Sequence, residues 1–169
     1  MTSKIKLAFI FLLLCICMVF PANAADNVIY NFKDVVKTWD GTKMVCSGGY
    51  AVAQSFTSLN ITSANISSSV RSSTYQLKLN VTGIENYAFR NAVYLRSVTF
   101  SSPSNLKTIG NEAFIGCDRL NDITLPETVQ TIGKYCFCNC VGLTQMVLPK
   151  QLTSLGDGAF SGCRSLQSI

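Results

Sequence analysis

The sequence contains no histidine, a single tryptophan and only four prolines, and charged residues make up just 14% of its 169 positions. Without histidine neither a Ser-His-Asp triad nor a Cys-His pair can be assembled, and most zinc sites are excluded with them. No glycine-rich phosphate loop is present. The nine acidic residues share no recurring position that would pair two carboxylates, and the fourteen basic ones are scattered along the chain. That scatter leaves no stripe for nucleic acid and no cationic patch for a membrane surface. Beyond residue 24 no apolar run approaches the roughly 20 residues of a membrane-spanning helix. The C-terminal Ser165-Leu-Gln-Ser-Ile169 carries no lipidation or GPI-anchor signal. Catalysis and cofactors are therefore not expected.

What the chain does have begins with a leader. Lys4 and Lys6 precede an apolar run from Leu7 to Phe20, and Ala22-Asn23-Ala24 places small residues where a signal peptidase cuts. The run spans fourteen residues and Pro21 closes it, which fits a secretory signal peptide better than a membrane anchor. Cleavage after Ala24 would remove two lysines and lower the formal charge from +5 to +3. The mature chain is expected to be secreted or held at an extracellular surface. Three sequons, at Asn60, Asn65 and Asn80, are glycan acceptors in a eukaryotic source. The Ser/Thr/Asn-rich composition around the first two also generates such triplets by chance.

The strongest signal is an internal repeat. Phe89, Phe114, Phe137 and Phe160 follow one another at intervals of 25, 23 and 23 residues. In phase with them run Ile84, Ile109, Ile132 and Leu155, then Leu95, Leu120, Leu143 and Leu166, then Val98, Ile123, Met146 and Ile169. Cys117, Cys140 and Cys163 occupy one further shared position, with Ala92 in the first unit.

Each unit closes on a pattern such as Leu120-Asn-Asp-Ile-Thr-Leu125, whose last residues alternate apolar and polar as a short strand does. The preceding Ile109 to Cys117 is too short for an ordinary helix but puts Ile109, Ala113, Phe114 and Cys117 on one side, which predicts a single helical or 3-10 turn. The proline after the strand cannot donate to a ladder and turns the chain away. One unit is thus one coil of a solenoid, and coils must stack to bury their apolar faces and pair their strands.

The frame Ile-Gly, Ala-Phe, Gly-Cys, Leu-x-x-Ile-x-Leu-Pro, written out in residues 109–126, resembles the Treponema-type (BspA-like) leucine-rich repeat. The resemblance covers residues 84–169, reaching back to 77 if Leu77-Lys-Leu79 is a further strand. Ala92 in place of the cysteine, the longer Ser101–Asn105 linker and Cys136 in place of alanine depart from it. It implies a leucine-rich-repeat solenoid with a parallel β-sheet and short turns on the other face. It also implies a secreted or surface interaction protein, in some cases an adhesin, with no catalytic residues.

The organisation expected is a signal peptide at 1–24, an N-terminal cap region at 25–76 and a solenoid at 77–169 with its last repeat incomplete. The cap should hold a β-hairpin, because Val35–Val45 alternates on both sides of Asp40-Gly41, a favoured two-residue turn. Trp39 beside that turn is expected to pack on the core it covers. Six cysteines follow the leader, at 46, 117, 136, 138, 140 and 163. Cys136 and Cys140 fall on inward positions, and ladder cysteines on adjacent coils have parallel Cβ vectors, which suits free thiols better than disulfides or a metal.

Outward strand positions form a polar file of Arg96, Ser97 and Thr99, then Asn121, Asp122 and Thr124, then Thr144, Gln145 and Val147, then Gln167 and Ser168. Small, polar and nearly uncharged, it suits hydrogen bonding to an extracellular protein or glycan. The alternative is a structural spacer or truncated repeat fragment with no ligand of its own. Leu155, Phe160, Leu166 and Ile169 would lie exposed on the last coil, so self-association through this end is a further expectation.

Overall fold

A computed structural model of the chain describes residues 28–33, 36–39, 44–47, 50–56, 63–66, 69–72 and 77–169. The leader, the Asp40-Gly41 turn and Asn60 lie outside these residues, as does the side chain of Trp39. In chain order the strands are β1 (Val28–Lys33), β2 (Val36–Trp39), β3 (Met44–Ser47), β4 (Tyr50–Phe56), β5 (Ser63–Ile66), β6 (Ser69–Ser72) and β7 (Leu77–Ile84). They continue as β8 (Ser97–Phe100), β9 (Thr108–Ile109), β10 (Asp122–Ile123), β11 (Thr131–Ile132) and β12 (Ser154–Leu155).

Each coil contributes to two sheets. The strand expected in the Leu-x-x-Ile-x-Leu segment is present as β8 and β10, which pair in parallel with Val98 opposite Ile123. In the last two coils the same segments meet through a parallel bridge between Gln145 and Ser168. A second strand, not expected from the sequence, is only two residues long and immediately precedes each Ile-Gly or Leu-Gly glycine. β9, β11 and β12 stack in parallel there, with Ile109, Ile132 and Leu155 in register. Two residues cannot hold a strand alone; they are strands because the neighbouring coils supply their hydrogen-bond partners.

This first sheet runs on through β7, β4 and β1, so it holds the coils and the N-terminal strands in one ladder. β4 lies parallel to β7 with Ala53 opposite Ile84. β5 lies parallel to β8 with Ala64 and Ile66 opposite Val98 and Phe100. Both side chains on β5 are buried, so coil-type register reaches upstream of residue 77. The β2-β3 hairpin forms, with Trp39 paired to Met44. The turn expected at Asp40-Gly41 falls between these two strands, outside the described residues.

The segment after Ile-Gly forms successive turns, and no helix occurs among the described residues. Bonds of the expected 3-10 kind are present, such as Ala88 N–H to Glu85 O at 3.4 Å and Cys117 N–H to Phe114 O at 3.1 Å. They do not propagate because left-handed residues interrupt them, with φ of 63° at Tyr87 and 58° at Asn91 in the first coil. Each interruption turns the next N–H along the stack. Tyr87, Phe89 and Asn91 donate to the carbonyls of Asn111, Ala113 and Ile115 at 2.7–3.0 Å, and the same triple recurs from coil two to three and three to four. The turns are thus a third ladder, which an isolated helix could not provide.

Inside, the ladders stack as the period requires. Phe89, Phe114 and Phe137 are fully buried, with ring centroids 5.0 and 5.2 Å apart and planes within 4° of parallel. Phe160 continues the column at 5.5 Å but is only partly buried, and Leu155 and Ile169 stand 48% and 61% exposed on the fourth coil. Cys117, Cys136, Cys138, Cys140 and Cys163 are free thiols. The Cys117, Cys140 and Cys163 thiols donate to the carbonyls of Phe89, Phe114 and Phe137, one coil back, at 3.0–3.2 Å. Burial pushes the Cys117 thiol up to about 12 and those of Cys136 and Cys140 further.

The glycines after β9, β11 and β12 are demanded by close approach. A Cβ on Gly133 would stand 2.5 Å from the backbone nitrogen of Asn111 and 2.6 Å from the carbonyl carbon of Gly110. These are backbone atoms held in the ladder, so they cannot swing aside. Gly133→Ala is expected to cost about 1–3 kcal/mol by overpacking, read as a lower urea midpoint. An unchanged midpoint would mean that the coils separate more easily than this geometry implies.

Candidate binding surface

The second sheet presents the polar file. Along β8 the burial alternates, with Val98 inside and Thr99 exposed, because successive side chains of a strand point to opposite faces. Arg96, Thr99, Asn121, Asp122, Thr124, Thr144, Gln145, Val147, Gln167 and Ser168 are all exposed, and Ser97 is half-buried. Every expected file residue therefore reaches the surface. Val147, at 72% exposed, is the one bare apolar side chain among them.

The backbone holds these positions in rungs. Asn121 and Asp122 both donate to the Arg96 carbonyl at 3.1 Å, and Gln167 donates to that of Thr144 at 2.9 Å. β-Pairing joins β5, β8 and β10 into one group and Gln145 with Ser168 into another, and no pairing links the two among the described residues. The file is thus two hydrogen-bonded halves on one continuous core, where the sequence had suggested a single ladder. Its only formal charges are Arg96 and Asp122.

Two features of the surface escaped the sequence reading. β5 adds Ser63 and Asn65 to the file; Thr99 Oγ1 lies 3.2 Å from Asn65 Oδ1. Periodicity could not reveal this because the β5 segment lacks the Phe and Leu of the frame. On the first sheet Thr108, Thr131 and Ser154 form a column of hydroxyl side chains one residue before each inward Ile or Leu. The recurrence of Thr-Ile-Gly was visible, but nothing local marks two residues as a strand. Of the sequons, Asn65 is half-buried on β5 and Asn80 is exposed on β7 opposite Ser69.

Stacked parallel rungs of about 23 residues, with a conserved-phase core and variable outward positions, define a leucine-rich-repeat solenoid. The family described as "BspA type Leucine rich repeat region" matches residues 52–169 in six copies. The chain belongs to that family. Among solved structures it is similar to a leucine-rich repeat protein of T. pallidum, at 29% identity and a TM-score of 0.61 over 69% of this chain and 50% of that one. A leucine-rich repeat protein from Bacteroides capillosus matches at 25% identity and 0.62, over 78% of this chain and 94% of that one. One from Bacteroides ovatus matches at 26% and 0.57, over 85% and 39%. The chain thus spans half the length of the T. pallidum protein. No curated protein matches it.

Proposed function

We propose that this chain is a secreted or cell-surface interaction module that binds an extracellular protein or glycan through the polar file, without catalysis. The observation that carries the reading is the file itself. Ten exposed side chains stand over a core in which Phe89, Phe114, Phe137, Leu95, Leu120 and Leu143 are fully buried. Such a platform is rigid, so a ligand does not have to order it on binding. The signal-like leader and the BspA-type family are consistent with an extracellular setting, and no helix among the described residues is long and apolar enough to cross a membrane.

The test is to display the purified chain against arrays of extracellular-matrix proteins and glycans, and to repeat any binding with the triple variant Asp122→Ala, Thr124→Ala, Gln145→Ala. We expect loss of about tenfold or more in affinity, as for removal of a contact cluster at the centre of an interface. A ligand indifferent to the triple variant, or no ligand at all, would favour a structural spacer.

A further inference from the structure

The turn ridge carries two side chains that the fold does not ask for. Two residues before each ladder phenylalanine the backbone is left-handed, with φ of 63° at Tyr87, 53° at Glu112, 52° at Tyr135 and 65° at Gly158. Glycine adopts this conformation freely, and the fourth coil uses it; a tyrosine there is strained. Burial does not offset the strain, because Tyr87 and Tyr135 are 51% and 47% exposed. Strained residues of this kind concentrate at binding and switching sites.

Their placement is regular. The N–H groups of Tyr87, Glu112 and Tyr135 donate to the next coil at 2.8–3.0 Å, so these positions stand one above another along the stack. Successive phenylalanines are 5.0 and 5.2 Å apart, so the backbone positions of the two tyrosines, two coils apart along the same stack, are separated by about 10 Å, twice the strand spacing. The Tyr135 ring rests against Gly158, where a Cβ would come within 2.5 Å of its Cε1. The Arg90 guanidinium lies over one face of the Tyr87 ring, 5.5 Å from its centroid, and is 3.3 Å from the Glu112 carboxylate, while Lys134 Nζ is 3.0 Å from Asp157.

We propose that the ridge of Tyr87, Glu112 and Tyr135 is a second binding surface, for a linear β-linked hexopyranose polymer. An exposed tyrosine offers a ring against which the C–H face of a sugar packs, and Arg90, Glu112, Lys134 and Asp157 supply donors and acceptors for its hydroxyls. In an extended β-1,4-linked chain alternate sugars present the same face, which matches two aromatic rings set two coils apart. Tyrosine and arginine also suit protein contacts; the glycan is preferred because the interval between the rings is close to the repeat of such a chain. The proposal rests on reading the chain as an interaction module and adds a surface separate from the strand file.

Titration calorimetry of the full chain with cellohexaose and with chitohexaose tests it. One of the two should bind; Tyr87→Gly and Tyr135→Gly should each weaken it by about tenfold, and the double variant should abolish it. Because glycine relieves the left-handed strain, the double variant should melt within a few degrees of the parent, and Tyr87→Phe with Tyr135→Phe should retain binding. Absence of binding to both hexasaccharides, or binding that survives the double glycine variant, overturns the proposal. If the triple variant of the file abolishes sugar binding and the double glycine variant does not, the ridge proposal fails while the interaction-module reading stands. A protein ligand lost with the double glycine variant, in a chain that ignores both sugars, reassigns the ridge to protein and overturns the glycan proposal.

Discussion

Phe114→Ala is expected to destabilise the chain by about 3–5 kcal/mol, the range for a phenylalanine removed from a packed core. Its ring is fully buried and stacks on both sides, 5.0 Å from Phe89 and 5.2 Å from Phe137. Truncation therefore removes two aromatic contacts as well as buried area. The cavity cannot collapse easily, because the backbone on either side is tied to the next coil, with Phe114 N–H donating to the Cys136 carbonyl at 2.8 Å. Phe160→Ala, at the partly buried end of the same column, should cost less. Guanidinium denaturation followed by circular dichroism would measure both. A Phe114→Ala midpoint equal to the parent's, or a larger loss at Phe160, would contradict the central place given to the column.

The second large effect concerns alkaline pH. Cys117 is raised from 9.0 to about 12, chiefly by burial, and the Cys136 and Cys140 thiols are raised in the same direction for the same reason. Above about pH 9 the unfolded chain gives up these protons while the folded chain keeps them. The folded state then binds more protons than the unfolded one, so stability falls as pH rises. The contribution is fully present below pH 9 and is lost towards the folded value, at about 1.4 kcal/mol per pH unit for each such thiol. The three thiols act in the same direction, so the loss is steepest where all of them ionise in the unfolded chain only.

Tyrosine and lysine ionise in part of the same range, so the decisive comparison is with Cys117→Ala and Cys140→Ala together. Alanine is already the residue at this frame position in the first coil, where Ala92 is buried. Under reducing conditions the double variant should lose stability with pH less steeply than the parent, by about 1.4 kcal/mol per unit for each thiol replaced. Identical slopes would show that the thiols ionise within the fold and that burial does not hold them neutral.

The period, the in-phase phenylalanines, leucines and cysteines, and the strand in Leu-x-x-Ile-x-Leu were legible because each follows from residues close together in sequence and repeated. Ten of the eleven file positions are exposed and Ser97 is half-buried; alternation accounts for Thr99, Thr124 and Val147 beside inward neighbours, whereas the adjacent pairs such as Arg96-Ser97 follow from the spacing between inward Leu and Val or Ile. The turns were read only in part. Ile109 to Cys117 has the spacing of a helical turn, and its i→i−3 bonds form, yet Glu112 and Gly116 adopt left-handed φ of 53° and 70°. What tips them is the row of carbonyls on the next coil, which no local window contains.

Composition and periodicity by themselves determined a histidine-free solenoid of stacked coils with a polar outer strand face, because a core frame repeated every 23 residues can bury its apolar side chains only by stacking; the leucine-rich-repeat type followed from the resemblance of the frame. Tertiary structure alone decided the rest. It made strands of the pairs Thr108–Ile109, Thr131–Ile132 and Ser154–Leu155, brought β4 and β5 into the coil register and set Trp39 against Met44. In each case the deciding partner is a backbone or side chain on a neighbouring strand or coil, and the energy of that pairing exceeds any preference the short segment has on its own.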